Sequence, residues 1–158
     1  MHARFSLLAV LVSFVAAAVL EVLTLPDVLL KFRPEWLVLT LIYWLLRHPE
    51  KIGISTAILL GLLMDVISGS YFGVHVLAYS VLTYLVLSMH QRLKMFPVIQ
   101  QSFIVFFLVG IQSMVVYFLS IVLQGSQSGL SYLWLALTSA IAWPLVLILT
   151  DRLVLSLR

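Results

Sequence analysis

Five stretches of sixteen or more residues run through this sequence almost without charge: Phe5 to Leu25, Ile52 to Ile67, Val74 to Met89, Pro97 to Leu123 and Leu130 to Thr150. Their recurrence constrains the fold more than any motif does. A helix rises about 1.5 Å per residue and the hydrocarbon core of a bilayer is about 30 Å thick, so roughly 20 largely apolar residues cross it. The chain carries nine Lys and Arg and six Asp and Glu in 158 residues, 9% of the total. A soluble domain uses about a quarter. With a mean hydropathy of +1.19, most of any folded surface is apolar, and lipid must cover it. The nine basic residues never cluster as a phosphate-tracking stripe would, which excludes nucleic acid as a partner. Without Cys there is neither a disulfide nor a thiolate ligand.

A sixth apolar segment, Trp36 to Leu46, is only 11 residues long. Pro suits the first turn of a helix and disfavours helix in the residue before it, which predicts a start at Pro34 and a helix of about 20 Å. Either the bilayer thins there or Pro26 to Arg33 dips in non-helically against protein. Six spans, approximately 5–25, 34–47, 52–67, 74–89, 97–123 and 130–150, make the chain a single all-α integral membrane domain covering residues 1–158. Cytoplasmic segments collect Lys and Arg. With the N-terminus inside, Arg4, Arg47, Lys51, Arg92, Lys94, Arg152 and Arg158 are cytoplasmic, and only Lys31 and Arg33 are not. The outer loops Ser68 to Gly73 and Gln124 to Gly129 carry no charge. Both termini are therefore expected in the cytoplasm. Trp36, Tyr43, Trp44, Tyr71, Tyr132 and Trp134 fall near span ends, where amphipathic rings settle at the interface. His2, Arg4 and Ala16-Ala17-Ala18 around an apolar run also resemble a cleavable signal peptide. The apolar stretch continues to Leu25, long enough to span, and favours a retained helix.

Polar and small residues within these spans are the candidates for function. Gly53, Ala57, Gly61 and Asp65 recur every four residues in the third span. Such a stripe lies on one helix face and lets another backbone approach closely, either within the chain or from a partner. An acid at Asp65 is costly in a membrane. In a transporter it binds a cation or proton; in a scaffold it caps the Ser68-Gly69 loop or pairs with Arg33. Glu21, Asp27, Lys31, Arg33 and Glu35 gather at the outer depth, either as an ion-paired plug or as a receiver for a partner helix. His75, Tyr79 and Thr83 share a face of the fourth span, and Gln112, Ser113, Tyr117 and Ser120 lie on the fifth. Together they either line a small polar cavity or join helices by hydrogen bonds. His2, His48 and His90 are predicted far from His75, so no metal site is expected. Pro144 frees the carbonyl near Ala140 and is expected to kink the last span, with Ser139 or Thr138 taking up the freed group. There is no phosphate loop, nucleophile elbow or HExxH, and no cofactor is implied.

Phe32-Arg33-Pro34-Glu35-Trp36 leading into Tyr43-Trp44, then Gly61, Asp65-Val66-Ile67-Ser68-Gly69 and Gly73-Val74, then Trp143-Pro144, resemble the bacterial rod-shape-determining MreD family over most of the chain. The resemblance implies a non-catalytic inner-membrane subunit of the side-wall elongation machinery. It implies MreC as direct partner, with the actin-like MreB, the glycosyltransferase RodA and a class B penicillin-binding transpeptidase in the same complex. It also implies a likeness to the six-helix S components of energy-coupling-factor transporters, which dock a partner through a small-residue stripe. On this reading Gly53, Ala57 and Gly61 form the contact surface and Arg33, Glu35 and Asp65 its rim, with self-association of the chain left open. The alternative is a small-molecule-binding or transport protein whose cavity is lined by Asp65, His75, Tyr79 and Tyr117.

Overall fold

The computed structural model describes residues 7–23, 26–125 and 131–157. Arg4, Arg158, the outer ends of the first span at Phe5 and Leu25, and the start of the sixth at Leu130 lie outside them, as does most of the Gln124 to Gly129 loop. The regular elements among the described residues are all helices: α1 Leu7–Val22, α2 Asp27–Leu30, α3 Trp36–Arg47, α4 Ile54–Ser68, α5 Val74–Met95, α6 Val98–Gln124 and α7 Ser131–Ser156. α6 and α7 are long and apolar enough to cross a membrane, and α1, α3 and α4 are apolar but shorter. Only 28% and 39% of the most apolar windows of α6 and α7 are buried in the molecule. The core helix of a water-soluble protein hides its apolar side chains; these two turn most of theirs outward, which suits lipid.

The short third helix is the centre of the bundle. Every residue from Leu37 to Leu46 is buried, and α3 packs against α1, α5 and α7. A helix apolar on all sides is stable only when surrounded, and that explains its composition better than contact with lipid does. Tyr43 and Trp44, in the last turns of α3, are buried within the bundle. The Trp44 indole N–H donates to Ser13 Oγ at 2.8 Å, and Tyr43 Oη donates to Asp151 Oδ1 at 2.5 Å. α3 begins at Trp36, two residues later than Pro34, because Pro34 and Glu35 remain outside the helix and the Glu35 N–H is taken by Ser139 Oγ at 3.1 Å. The segment before it holds one helical turn, α2, followed by non-helical chain.

α5 runs six residues beyond Met89 and α7 six beyond Thr150, so their polar ends, with Arg92, Lys94, Asp151 and Arg152, are helical too. At the α5–α6 corner Gln101 Nε2 donates to the Leu93 and Phe96 carbonyls at 3.0 and 3.2 Å, and its Oε1 accepts the Trp143 indole N–H at 3.2 Å. One side chain thus takes a carbonyl of the last turn of α5 and that of the residue following it, groups that a helix end leaves without intrahelical partners. α7 is helical through Pro144. Neither hydroxyl proposed for the carbonyl near Ala140 serves it: Thr138 donates back to Trp134 and Leu135, and Ser139 receives Glu35.

α4 packs chiefly on α5, and Gly61 is the reason the two can meet. A Cβ at Gly61 would stand 2.5 Å from Val76 Cα and 2.9 Å from the His75 carbonyl carbon, both backbone atoms. Ala57 is fully buried and Asp65 nearly so on the same face. At Gly61 the chain's own α5 occupies this face, which is the intramolecular use of the stripe that the spacing left open, and Ala57 is buried within the chain. Gly53 differs, since nothing lies within 4 Å of its Cβ position. Gly61→Ala is expected to lower unfolding stability by roughly 1–3 kcal/mol through overpacking, whereas Gly53→Ala is expected to be nearly neutral. Thermal unfolding of the two variants in detergent checks the contrast, and equal midpoints would remove the close approach.

Candidate functional site: two polar cavities at opposite ends of the bundle

Alternating helix directions place two sets of polar residues at opposite ends. At one end, where α1 and α4 finish and α3 and α5 begin, a cavity of about 230 Å³ is lined by Glu21, Arg33, Glu35, His75, Tyr79, Gln112, Ser113, Tyr117, Ser120 and Tyr132, with Met64, Val116 and Leu135. His75, Tyr79 and Tyr117, named from spacing as cavity residues, all face it, and so do Arg33 and Glu35. Asp65 stands behind His75 and does not line it.

Glu21 organises this end. Its side chain is 3% exposed, and Oε1 lies 3.1 Å from Arg33 Nη2 in an ion pair. Oε2 accepts the Trp36 N–H at 3.0 Å, the first N–H of α3, and Arg33 Nη1 donates to the Glu21 carbonyl at 2.5 Å. One carboxylate therefore neutralises a guanidinium, caps α3 and joins it to α1, where the positive end of the helix dipole favours an anion. Glu35 sits beside it with a different partner set: Oε1 accepts from Ser113 Oγ at 3.2 Å, and no cation pairs with it among the described residues. Its backbone N–H on α7's Ser139 and its carboxylate on α6's Ser113 hold the approach to α3 against both helices.

Asp65 has a local role. Its Oδ1 accepts from Ser70 Oγ at 2.9 Å and from the His75 N–H at 2.9 Å, and lies 2.8 Å from His75 Nδ1; Oδ2 accepts the Gly73 N–H at 2.8 Å. Gly69, with φ +64°, and Gly73, with φ +108°, turn the chain through conformations that side chains disfavour. Asp65 thus gathers the donors of the α4–α5 corner, and Arg33, its alternative partner, belongs to Glu21. The residue is 1% exposed with both oxygens occupied, the loop-capping role that the sequence offered for it. No group of three metal-binding side chains assembles among the described residues.

At the other end a cavity of about 990 Å³ opens between the ends of α3, α5 and α7 and the start of α6. Arg47, His48, Lys51 and Lys94 line it together with Glu50 and Asp151. In the sequence these cations mark only topology; the fold turns them toward one space. The ion pair Arg47–Asp151, with 3.0 and 3.1 Å contacts to the two carboxylate oxygens, joins residues 104 apart in the chain, a separation no local pattern reveals. Glu50, beside it, has its carboxyl held below the usual range by a backbone N–H at its own position and, to a smaller extent, by His48.

Asp65→Asn replaces an acceptor with an amide that meets four converging donors. It is expected to cost about 1–3 kcal/mol of stability and to expose the 69–73 loop to protease, with Ser70→Ala milder. Detergent unfolding and limited proteolysis measure both effects, and a wild-type profile for Asp65→Asn would refute the anchoring role.

With this geometry established, known proteins can be set beside it. A family model described as rod shape-determining protein MreD matches residues 1–153. The rod shape-determining protein MreD of Haemophilus influenzae is 33% identical over 154 residues, which is 96% of this chain and 95% of that protein. No solved structure gives a significant match. The match to the family model over nearly the whole chain and the similarity to this relative along its full length lead to one conclusion: the chain belongs to the MreD family of rod shape-determining proteins.

Proposed function

We propose that this protein is a non-catalytic scaffold of the cell-elongation machinery in the bacterial inner membrane, holding the single membrane helix of MreC and so helping to position the peptidoglycan synthases. It crosses the membrane six times, with both termini cytoplasmic, in an arrangement like that of the S components. The distribution of charge supports this orientation: Arg47, Lys51, Arg92, Lys94 and Arg152 lie toward one end of the bundle and Arg33 at the other. MreB, RodA and the class B transpeptidase enter through the same complex.

The observation that carries the scaffold reading is an unfilled apolar groove between α1 and α4. About 770 Å³ in volume, it is lined by Leu11, Phe14, Val15, Ala18, Val19, Val22, Leu23 and Leu63. α4 leans on α5 and leaves Ile58, Leu59, Leu62 and Leu63 exposed. Two helices that flank a gap offer a third helix packing on both sides, and packing is what drives helix association in lipid. Among the residues named for contact from the sequence, Gly53 keeps open space and Arg33 a partly exposed guanidinium.

A second reading, small-molecule binding, draws on the Glu21-end cavity. At about 230 Å³ it is smaller than the roughly 300–1,000 Å³ usual for ligand sites, so only a small polar molecule would fit. Val15→Trp and Leu63→Trp fill the α1–α4 groove at exposed positions. They are expected to reduce recovery of MreC with the purified protein at least tenfold while leaving membrane insertion and the unfolding midpoint unchanged. Undiminished recovery would defeat the groove as the contact. A stoichiometric metabolite in mass spectrometry of the purified chain would favour the second reading.

A further inference from the structure

The large cavity at the Arg47 end does not stop at the level of its charges. Val98 and Pro144 line both it and a second, apolar groove of about 470 Å³ between α6 and α7. The groove is walled by Phe103, Phe107, Leu137 and Ile141; Ser102, its one hydroxyl, donates to its own helix at Val98 O. From Val98 to Phe107 it follows nine residues of α6, about 14 Å, which is close to half of a hydrocarbon core about 30 Å thick. A charged cavity at the membrane surface therefore continues into an apolar channel one leaflet deep.

We propose that this composite site holds one anionic phospholipid, with its phosphate in the cavity and an acyl chain in the α6–α7 groove. The charges in the cavity sort themselves. Asp151 is occupied by Arg47 and Tyr43, and Glu50 by His48. Lys94 has no ion-pair partner among the described residues, and Lys51 lines the same cavity. The start of α6, whose first N–H groups lack helical acceptors, stands at the same wall through Val98 and Gln101. Ammonium groups and a helix N-terminus are the two elements that recognise a phosphate, and basic pockets between membrane helices on the cytoplasmic side take anionic headgroups. A soluble phosphate would use the cavity and ignore the groove; the continuity of the two is what selects a lipid. The inference rests on the membrane orientation proposed above.

The full chain, purified in a neutral detergent, is titrated with phosphatidylglycerol, phosphatidylcholine or inorganic phosphate while its thermal unfolding is followed. Phosphatidylglycerol is expected to raise the midpoint with an apparent affinity at least tenfold tighter than phosphatidylcholine, and inorganic phosphate to have no effect. Lys94→Glu at the cavity and Ile141→Trp in the groove, both at exposed positions, are each expected to remove this selectivity without changing the midpoint in detergent alone. Equal stabilisation by the two lipids, reproduction of the effect by inorganic phosphate, or full retention of selectivity in either variant would overturn the site. Carbonate extraction of the chain from membranes tests the membrane reading separately: release into the soluble fraction would refute that reading, whereas a retained chain without lipid selectivity would refute only the site.

Discussion

Glu21 carries more of this architecture than any other side chain. In a surrounding as apolar as the helices themselves, hydrophobic contact cannot tell one helix rotation from another, so orientation falls to the few polar groups that must be satisfied inside. The Glu21 carboxylate meets Arg33 and the first N–H of α3. Removing one partner of a buried ion pair leaves an uncompensated charge, at a cost of about 3–5 kcal/mol. Glu35, one residue before that helix, fastens the same turn to α6 and α7 through Ser113 and Ser139. Four helices converge there through two acids, one guanidinium and two hydroxyls. The opposite end has its own fastening, where Asp151 of α7 receives Tyr43 and Arg47 of α3.

The apolar runs made the helices legible because burial in lipid demands length and hydrophobicity over the same residues. Charge marked the two ends for a similar reason: a Lys or Arg has to leave the hydrocarbon. Less readable was α3. Its shortness was visible, but its position at the centre depends on which neighbours surround it, and those come from distant segments. Gly61 shows the limit most directly. A small residue permits close approach by any backbone, and nothing in a Gly-x-x-x-Ala or Gly-x-x-x-Asp interval tells whether that backbone is α5 of the same chain or a helix of another. Val76 and His75, which fill the space, are close in sequence, so a tight α4–α5 corner was the simpler solution.

Polar clusters divide in the same way. The tyrosines and histidine of the Glu21 end could be grouped because helical spacing aligns them before any tertiary contact is known. Asp65 could be assigned to its loop or to Arg33 with equal chemistry, and the choice followed from Glu21 having claimed the guanidinium. Arg47 and Asp151 left no local signal, since their meeting depends on α7 returning beside α3 after three intervening helices.

The brevity of α3 brings the two charged regions of the molecule near one another. Twelve residues lie between its ends, about 18 Å, and a cavity with charged walls lies beyond each. Glu21 with Arg33 on one side and Arg47 with Asp151 on the other are thus held apart by one fully enclosed apolar helix much shorter than α6 or α7.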